Sequence, residues 1–170
     1  GKMIADICCE YVIVGHSERR TLFGDNEVAV AKKVAAAFRN GIKPLLCVGE
    51  NAAERAEGKT ARKISMQINN AFKGLKAEQA KKVVVAYEPL WAIGSGKTAS
   101  PEAALEVCRL IRDKLTKMFG ERISREIRIL YGGSVNEKNA ASFKLSGIDG
   151  LLVGGASLNA EEFSKIVRSF

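Results

Sequence analysis

The sequence holds a single histidine, His16, directly after an apolar run and a glycine: Tyr11-Val12-Ile13-Val14-Gly15-His16. An imidazole at the start of a short helix sits at the positive end of that helix, which disfavours its protonated form. A neutral imidazole can polarise a carbonyl or pass a proton. The competing reading is a structural histidine satisfied by local hydrogen bonds. Another apolar run, Val83-Val84-Val85-Ala86-Tyr87, is followed at once by Glu88. A carboxylate there is costly to bury unless it is paired or used. It fits a general base, or else an ion pair with a nearby Lys or Arg.

Glycines follow the other apolar runs. Gly132-Gly133-Ser134-Val135 and Gly154-Gly155-Ala156-Ser157 pair glycines where backbone N–H groups can approach an anion. Either pair alone reads equally well as a tight turn. Together they fit a phosphate site built from two successive loops of a barrel. Gly94-Ser95-Gly96-Lys97-Thr98 imitates a phosphate-binding loop but fails its spacing, because position 91 is Trp91 rather than glycine. Glycines set between Pro89-Leu90-Trp91 and Lys97-Thr98-Ala99 suit a lid moving between firmer ends.

The elements that must hold these groups alternate along the chain. Five short apolar runs begin near Tyr11, Pro44, Val83, Ile127 and Gly150, and most are apolar throughout, the pattern of parallel strands covered on both faces. Helical spacing lies between them: Val28, Ala31, Val34, Ala35 and Phe38; Ile64, Ile68, Ala71 and Phe72; Leu105, Cys108, Ile111 and Leu115; Phe163, Ile166, Val167 and Phe170. Ser100-Pro101-Glu102 is a helix start, and Asn159-Ala160-Glu161-Glu162 resembles a capping box. Repeated βα units imply an α/β fold, either an open doubly wound sheet or a (β/α)8 barrel, with function at the C-terminal strand ends in both.

Composition is that of a globular protein, with 46% hydrophobic and 27% charged residues over 170 positions. No apolar run approaches the roughly 18 residues of a membrane span, and the N-terminus does not read as a signal peptide. The net charge of +8 comes from basic residues scattered among acidic ones, without the interleaved aromatics of a nucleic-acid platform. Cys8, Cys9, Cys47 and Cys108 lack metal or redox spacing and read as free, buried thiols of a cytoplasmic protein.

The segments 11–20 (Tyr-Val-Ile-Val-Gly-His-Ser-Glu-Arg-Arg) and 86–99 (Ala-Tyr-Glu-Pro-Leu-Trp-Ala-Ile-Gly-Ser-Gly-Lys-Thr-Ala), followed by the glycine pairs at 132 and 154, resemble the triosephosphate isomerase family in motif and order. The likeness runs from about Met3 to Phe170. It implies interconversion of dihydroxyacetone phosphate and glyceraldehyde 3-phosphate without metal or organic cofactor, in a cytoplasmic homodimer that binds neither nucleic acid nor membrane. It implies that Glu88 is the base and His16 the electrophile, with Ser17, Glu18 and Tyr131 in support. Gly94, Ser134, Gly154 and Gly155 would bind phosphate. Pro89, Leu90 and Trp91 would form one hinge of the lid and Lys97, Thr98 and Ala99 the other. The family is a standard worked example of a neutral catalytic histidine and of lid closure.

The resemblance also implies an incomplete barrel. Five strands correspond to the family's fourth to eighth, so residues 1–170 are expected to form one partial barrel domain lacking three N-terminal βα units. With those units go an asparagine, a catalytic lysine and the dimerisation loop, and neither Lys43 nor Lys97 replaces that lysine. Activity of these 170 residues alone is therefore expected to be weak or nil. The alternative is a non-catalytic fragment that binds phosphate or a complementary chain.

Overall fold

A computed structural model of the chain describes residues 1–92 and 98–170. Its elements run α1 (Lys2–Asp6), β1 (Tyr11–Val14), α2 (Ser17–Phe23), α3 (Glu27–Arg39), β2 (Lys43–Val48), α4 (Ala52–Ala56), α5 (Thr60–Phe72), α6 (Ala77–Ala80), β3 (Val84–Tyr87), α7 (Pro101–Glu126), β4 (Ile129–Tyr131), β5 (Gly150–Leu151) and α8 (Ala160–Ser169). Short 3₁₀ turns occupy Ala140–Phe143 and Gly155–Leu158. The five strands form one parallel sheet in the order β1-β2-β3-β4-β5. A doubly wound sheet reverses direction at a switch point, whereas a barrel keeps adding strands on one side. This order has no reversal, so the sheet is of the barrel type.

Arg128, just before β4, donates from Nη2 to the Tyr11 hydroxyl on β1 at 2.7 Å. The two strands are three positions apart, about 14 Å in a flat sheet. This side-chain bridge marks the inner face of a curl. The outer face carries the core. Val30 and Val34 of α3, Ile64 and Ile68 of α5, and Cys108, Ile111 and Leu115 of α7 cluster with Leu46, Val48, Val85, Tyr87, Ile129 and Tyr131 of the strands. Burying one such Leu or Ile contributes roughly 1.5–3 kcal/mol before entropy is charged against it.

Several sequence expectations need correction. The buried stripe of α3 is Val30, Val34 and Ala37, while Val28, in the first turn of the helix, is exposed. In α8 only Ile166 is buried, while Phe163 and Val167 are exposed. β1 is not covered on both faces: it is an edge of the sheet, and Ile13 is 50% exposed. The run at Gly150 pairs over two residues only. Cys47 and Cys108 are buried and free, but Cys8 and Cys9 are exposed in the turn that ends α1.

α7 and the strand after it are joined by an ion-pair clasp. Arg112 donates to the carbonyls of Ser124 and Ile127, the latter at 2.6 Å, and to Asp149 Oδ2 at 2.8 Å. The same Oδ2 accepts the Ile129 amide of β4 at 2.8 Å. One guanidinium therefore satisfies carbonyls that the helix leaves open beyond the break at Gly120, and fixes the loop that enters β5. Arg112→Met should lower unfolding free energy by on the order of 2 kcal/mol, because it strands these acceptors together; urea denaturation measures it, and a change below about 0.5 kcal/mol would mean the clasp is idle.

Candidate active site

Glu88 is the first residue beyond β3, and the strand on each side shapes its place. Its amide donates to Val48 O at 2.7 Å, continuing the β2–β3 pairing past the strand ends. A Cβ on Gly49 would lie 1.7 Å from Glu88 O, and one on Gly132 would lie 3.2 Å from Glu88 Cγ. Two bare backbones thus close around the residue, with no room for a side chain on the β2 side. The carboxylate is 2% exposed. Burial pushes its pKa up; the His16 ring, the Cys47 thiol, the Ser17 amide and Arg20 oppose that shift in part. Its partners are not a Lys or Arg: Ser17 N–H donates to Oε2 at 3.1 Å and His16 Nε2 lies 3.2 Å from Oε1.

His16 caps α2, the helix that opens directly after β1. Its Nδ1 accepts the Glu18 amide at 3.4 Å, so the ring's proton resides on Nε2, the nitrogen facing Glu88. The ring thereby presents an Nε2–H donor toward the Glu88 carboxylate. Arg20, one turn on, donates to Gly15 O at 2.6 Å and to Glu27 Oε1 at 2.8 Å, fastening the β1–α2 turn to α3. Glu18 is exposed on the rim. The Ser17 hydroxyl is buried and has no partner among the described residues, so Ser17 reaches Glu88 through its backbone.

Sequence reasoning missed Glu50 and Cys47. Glu50 is fully buried at the end of β2. Its Oε1 accepts the Tyr87 hydroxyl at 3.0 Å, Trp91 Nε1 at 3.0 Å and Arg55 Nη1 at 3.2 Å. The Arg55 guanidinium also stacks 4.4 Å over the Trp91 ring. The first hinge is therefore held from below: Pro89 is buried, Leu90 N–H donates to Glu50 O at 3.1 Å, and Trp91 is tied to the carboxylate. Cys47 is completely buried, and desolvation, with the Glu88 charge beside it, pushes its thiol pKa well up. A sequence signal for Glu50 was available: an acid one glycine beyond an apolar strand, close to the signature of Glu88.

On the other hinge Ala99 is buried and Thr98 exposed, while Gly94 and Lys97 lie outside the described residues. Tyr131 is buried between Phe143, stacked at 4.1 Å, and Tyr87. Burial pushes its hydroxyl up to about 12, and the Ala99 amide comes near enough to oppose that shift in part.

These elements surround a cleft of about 500 Å³ lined by His16, Glu18, Glu88, Ser134, Gly154 and Gly155, with Ile13, Leu152 and Val153 as apolar wall. The proton-transfer candidates and the two glycine turns line the same cleft. Ser134 donates to Ala92 O at 3.3 Å, linking its loop to the first hinge. Nothing lies within 4 Å of where a Cβ on Gly154 or Gly155 would sit, so those backbones are open to a ligand. None of the described lining residues carries positive charge. No group of three or more His, Cys, Asp or Glu side chains gathers as a metal site among the described residues, and no helix among them is long and apolar enough to cross a membrane.

The sequence model of one family, Triosephosphate isomerase, matches residues 1–170. Curated relatives bear the same name. The one from Acetivibrio thermocellus is 52% identical over 169 residues, covering 99% of this chain and 67% of its own length. Those of Moorella thermoacetica and Carboxydothermus hydrogenoformans are 51% and 48% identical, covering 99% and 98% of this chain and 68% and 66% of their own lengths. The chain thus spans about two thirds of the length of these relatives. Glu50→Ala should free the Trp91 indole and the Tyr87 hydroxyl, costing about 3 kcal/mol and shifting the emission of the only tryptophan to the red; an unchanged spectrum would mean the hinge is held by other contacts.

Proposed function

The chain belongs to the triosephosphate isomerase family, and from that premise we propose that its cleft interconverts dihydroxyacetone phosphate and D-glyceraldehyde 3-phosphate by proton transfer through an enediolate. The observation that carries this reading is the placement of a buried carboxylate and an imidazole 3.2 Å apart at the ends of two different strands, in one cleft with the Gly132-Gly133 and Gly154-Gly155 turns, of which the second is open to a ligand. Residues 1–170 act in it as one partial barrel domain of the isomerase.

In the state described, Glu88 spends Oε1 on His16 and Oε2 on Ser17. Substrate entry exchanges the first contact. Glu88 then takes a proton from C1 of the ketose, and the C–H electron pair moves into the C1–C2 bond while the carbonyl oxygen gains charge. His16 Nε2–H donates to that oxygen, then relays protons between the two oxygens. Glu88 returns its proton to C2, and the aldose is formed with no net redox change. The backbones of Gly154 and Gly155, with Ser134 and Gly94, hold the phosphate. Pro89, Leu90 and Trp91, with Lys97, Thr98 and Ala99, hinge a lid that Tyr131 latches, and its closure keeps water from the enediolate. Ser17 parks the base between turnovers, and Glu18 supports the histidine's helix from the rim. The reading places the protein in a reducing cytoplasm, where its four free cysteines stay reduced.

An isomerase assay on the purified chain beside an identically prepared Glu88→Gln variant tests this. Where the parent turns over without the family's lysine, its rate should exceed that of the variant about a thousandfold, on the order of 4 kcal/mol of barrel-end chemistry; equal background rates in both would mean that the chain keeps the isomerase's residues without its activity. The pH dependence follows from burial. Only the deprotonated carboxylate is a base, and its folded pKa lies above the ordinary value, so kcat/KM should fall on acidification through a midpoint above the usual glutamate range. By the same sign, Glu88 favours the native state below its unfolded pKa and loses that contribution as pH rises through the folded one. The stability of the parent relative to Glu88→Gln should therefore grow as pH falls through that window.

A further inference from the structure

The helix α5 buries five side chains, Ile64, Gln67, Ile68, Ala71 and Phe72, and Gln67 alone among them is polar. It is 1% exposed, far from the water an amide prefers, and it does not line the active-site cleft. Its Oε1 accepts the Gly49 amide at 2.9 Å in a buried hydrogen bond. A polar group is retained at such a depth only at a cost unless it is bonded, so the question is what the bond fixes.

Gly49 is the residue on which two parts of the site lean. On one side its Cα abuts Glu88 O so tightly that a Cβ would stand 1.7 Å from that oxygen. On the other it is followed by Glu50, whose carbonyl accepts Leu90 N–H and whose carboxylate holds Tyr87 and Trp91. Beyond Val48 no ladder bond from β1 reaches this segment, since the β1–β2 register ends at Val14↔Leu46. The Gln67 carbonyl replaces the missing strand as the acceptor for the Gly49 amide.

We propose that Gln67 is a positioning residue for the proposed isomerase reaction, acting through the Gly49 amide to set both the backbone of Glu88 and the first lid hinge. The proposal rests on the role given to Glu88 above, yet its structural part is readable without turnover. Loss of the acceptor lets Gly49 drift, and with it the carboxylate of Glu88 and the indole of Trp91 move together. Side chains on the same helix face that touch only apolar neighbours have no such reach.

The test compares Gln67→Met, which keeps length but removes the acceptor, with Gln67→Glu, which keeps an acceptor, and with Ile68→Val, which trims the same buried face. NMR reads the Gly49 amide, the Trp91 indole N–H and the carboxyl carbon of Glu88 across pH. Gln67→Met should shift the Gly49 amide upfield and move both the Trp91 signal and the Glu88 titration midpoint. Gln67→Glu should keep the Gly49 and Trp91 signals near their parent positions, and Ile68→Val should lower stability while moving none of the three. Where the parent turns over, Gln67→Met should lower kcat about tenfold with KM within twofold. If Gln67→Met does not fold, Gln67→Asn, which draws the amide back by one methylene, takes its place with the same expected shifts. An upfield Gly49 amide with the Trp91 and Glu88 signals unmoved would overturn the proposal and leave Gln67 a purely structural residue. A parent without isomerase activity would remove the proposed reaction while leaving these three signals to decide the positioning claim.

Discussion

Everything in the site depends on how closely the backbone at the end of β2 approaches the carbonyl of Glu88. With a Cβ excluded at Gly49 by a 1.7 Å clash, the β2 and β3 chains can run side by side beyond their last paired residues. That places a carboxylate at the mouth of the sheet with almost no exposed surface. The same approach brings Glu50 under the first hinge, so base and lid share one support. A wider spacing would admit water to Glu88 and lower the carboxyl pKa that burial raises.

The second constraint is electrical. A buried carboxylate needs donors, but a strong cation would make it a poor base. Here the donors are a backbone amide and the His16 ring, both of them at the start of α2. They oppose in part the upward shift that burial imposes and can be exchanged for substrate. Because the Ser17 amide donates to the carboxylate and the Glu18 amide to the imidazole Nδ1, base and electrophile are oriented by one helix end rather than by separate charges.

Much of this was legible in the sequence. The five strands and the helices α5 and α7 followed from apolar runs and caps, while the residues alone left structural readings open for His16 and Glu88, whose proposed chemistry came from the resemblance to the family. What was not legible has physical causes. Val28 looked like part of an apolar stripe, but a hydrophobic residue at a helix start is as readily left in solvent as buried. Ile13 read as a two-face buried strand residue, and its exposure depends on β1 having no neighbour beyond it, which periodicity does not encode. Glu50 was marked only by its place just past an apolar strand, and the parts played by Cys47 and Gln67 were silent, because these side chains act in contacts across 18 to 41 positions, with Gln67 hidden inside an otherwise apolar face.

The most direct test of the account is carbon-bound hydrogen exchange, because it reads the base and not the whole cycle. Dihydroxyacetone phosphate incubated with the chain in D2O, followed by proton NMR at C1, reports each enediolate formed. The account predicts deuterium entering at one C1 hydrogen with the parent and not with Glu88→Gln. Absence of exchange with the parent, or equal exchange with both, would contradict the claim that Glu88 moves a carbon-bound proton in this cleft.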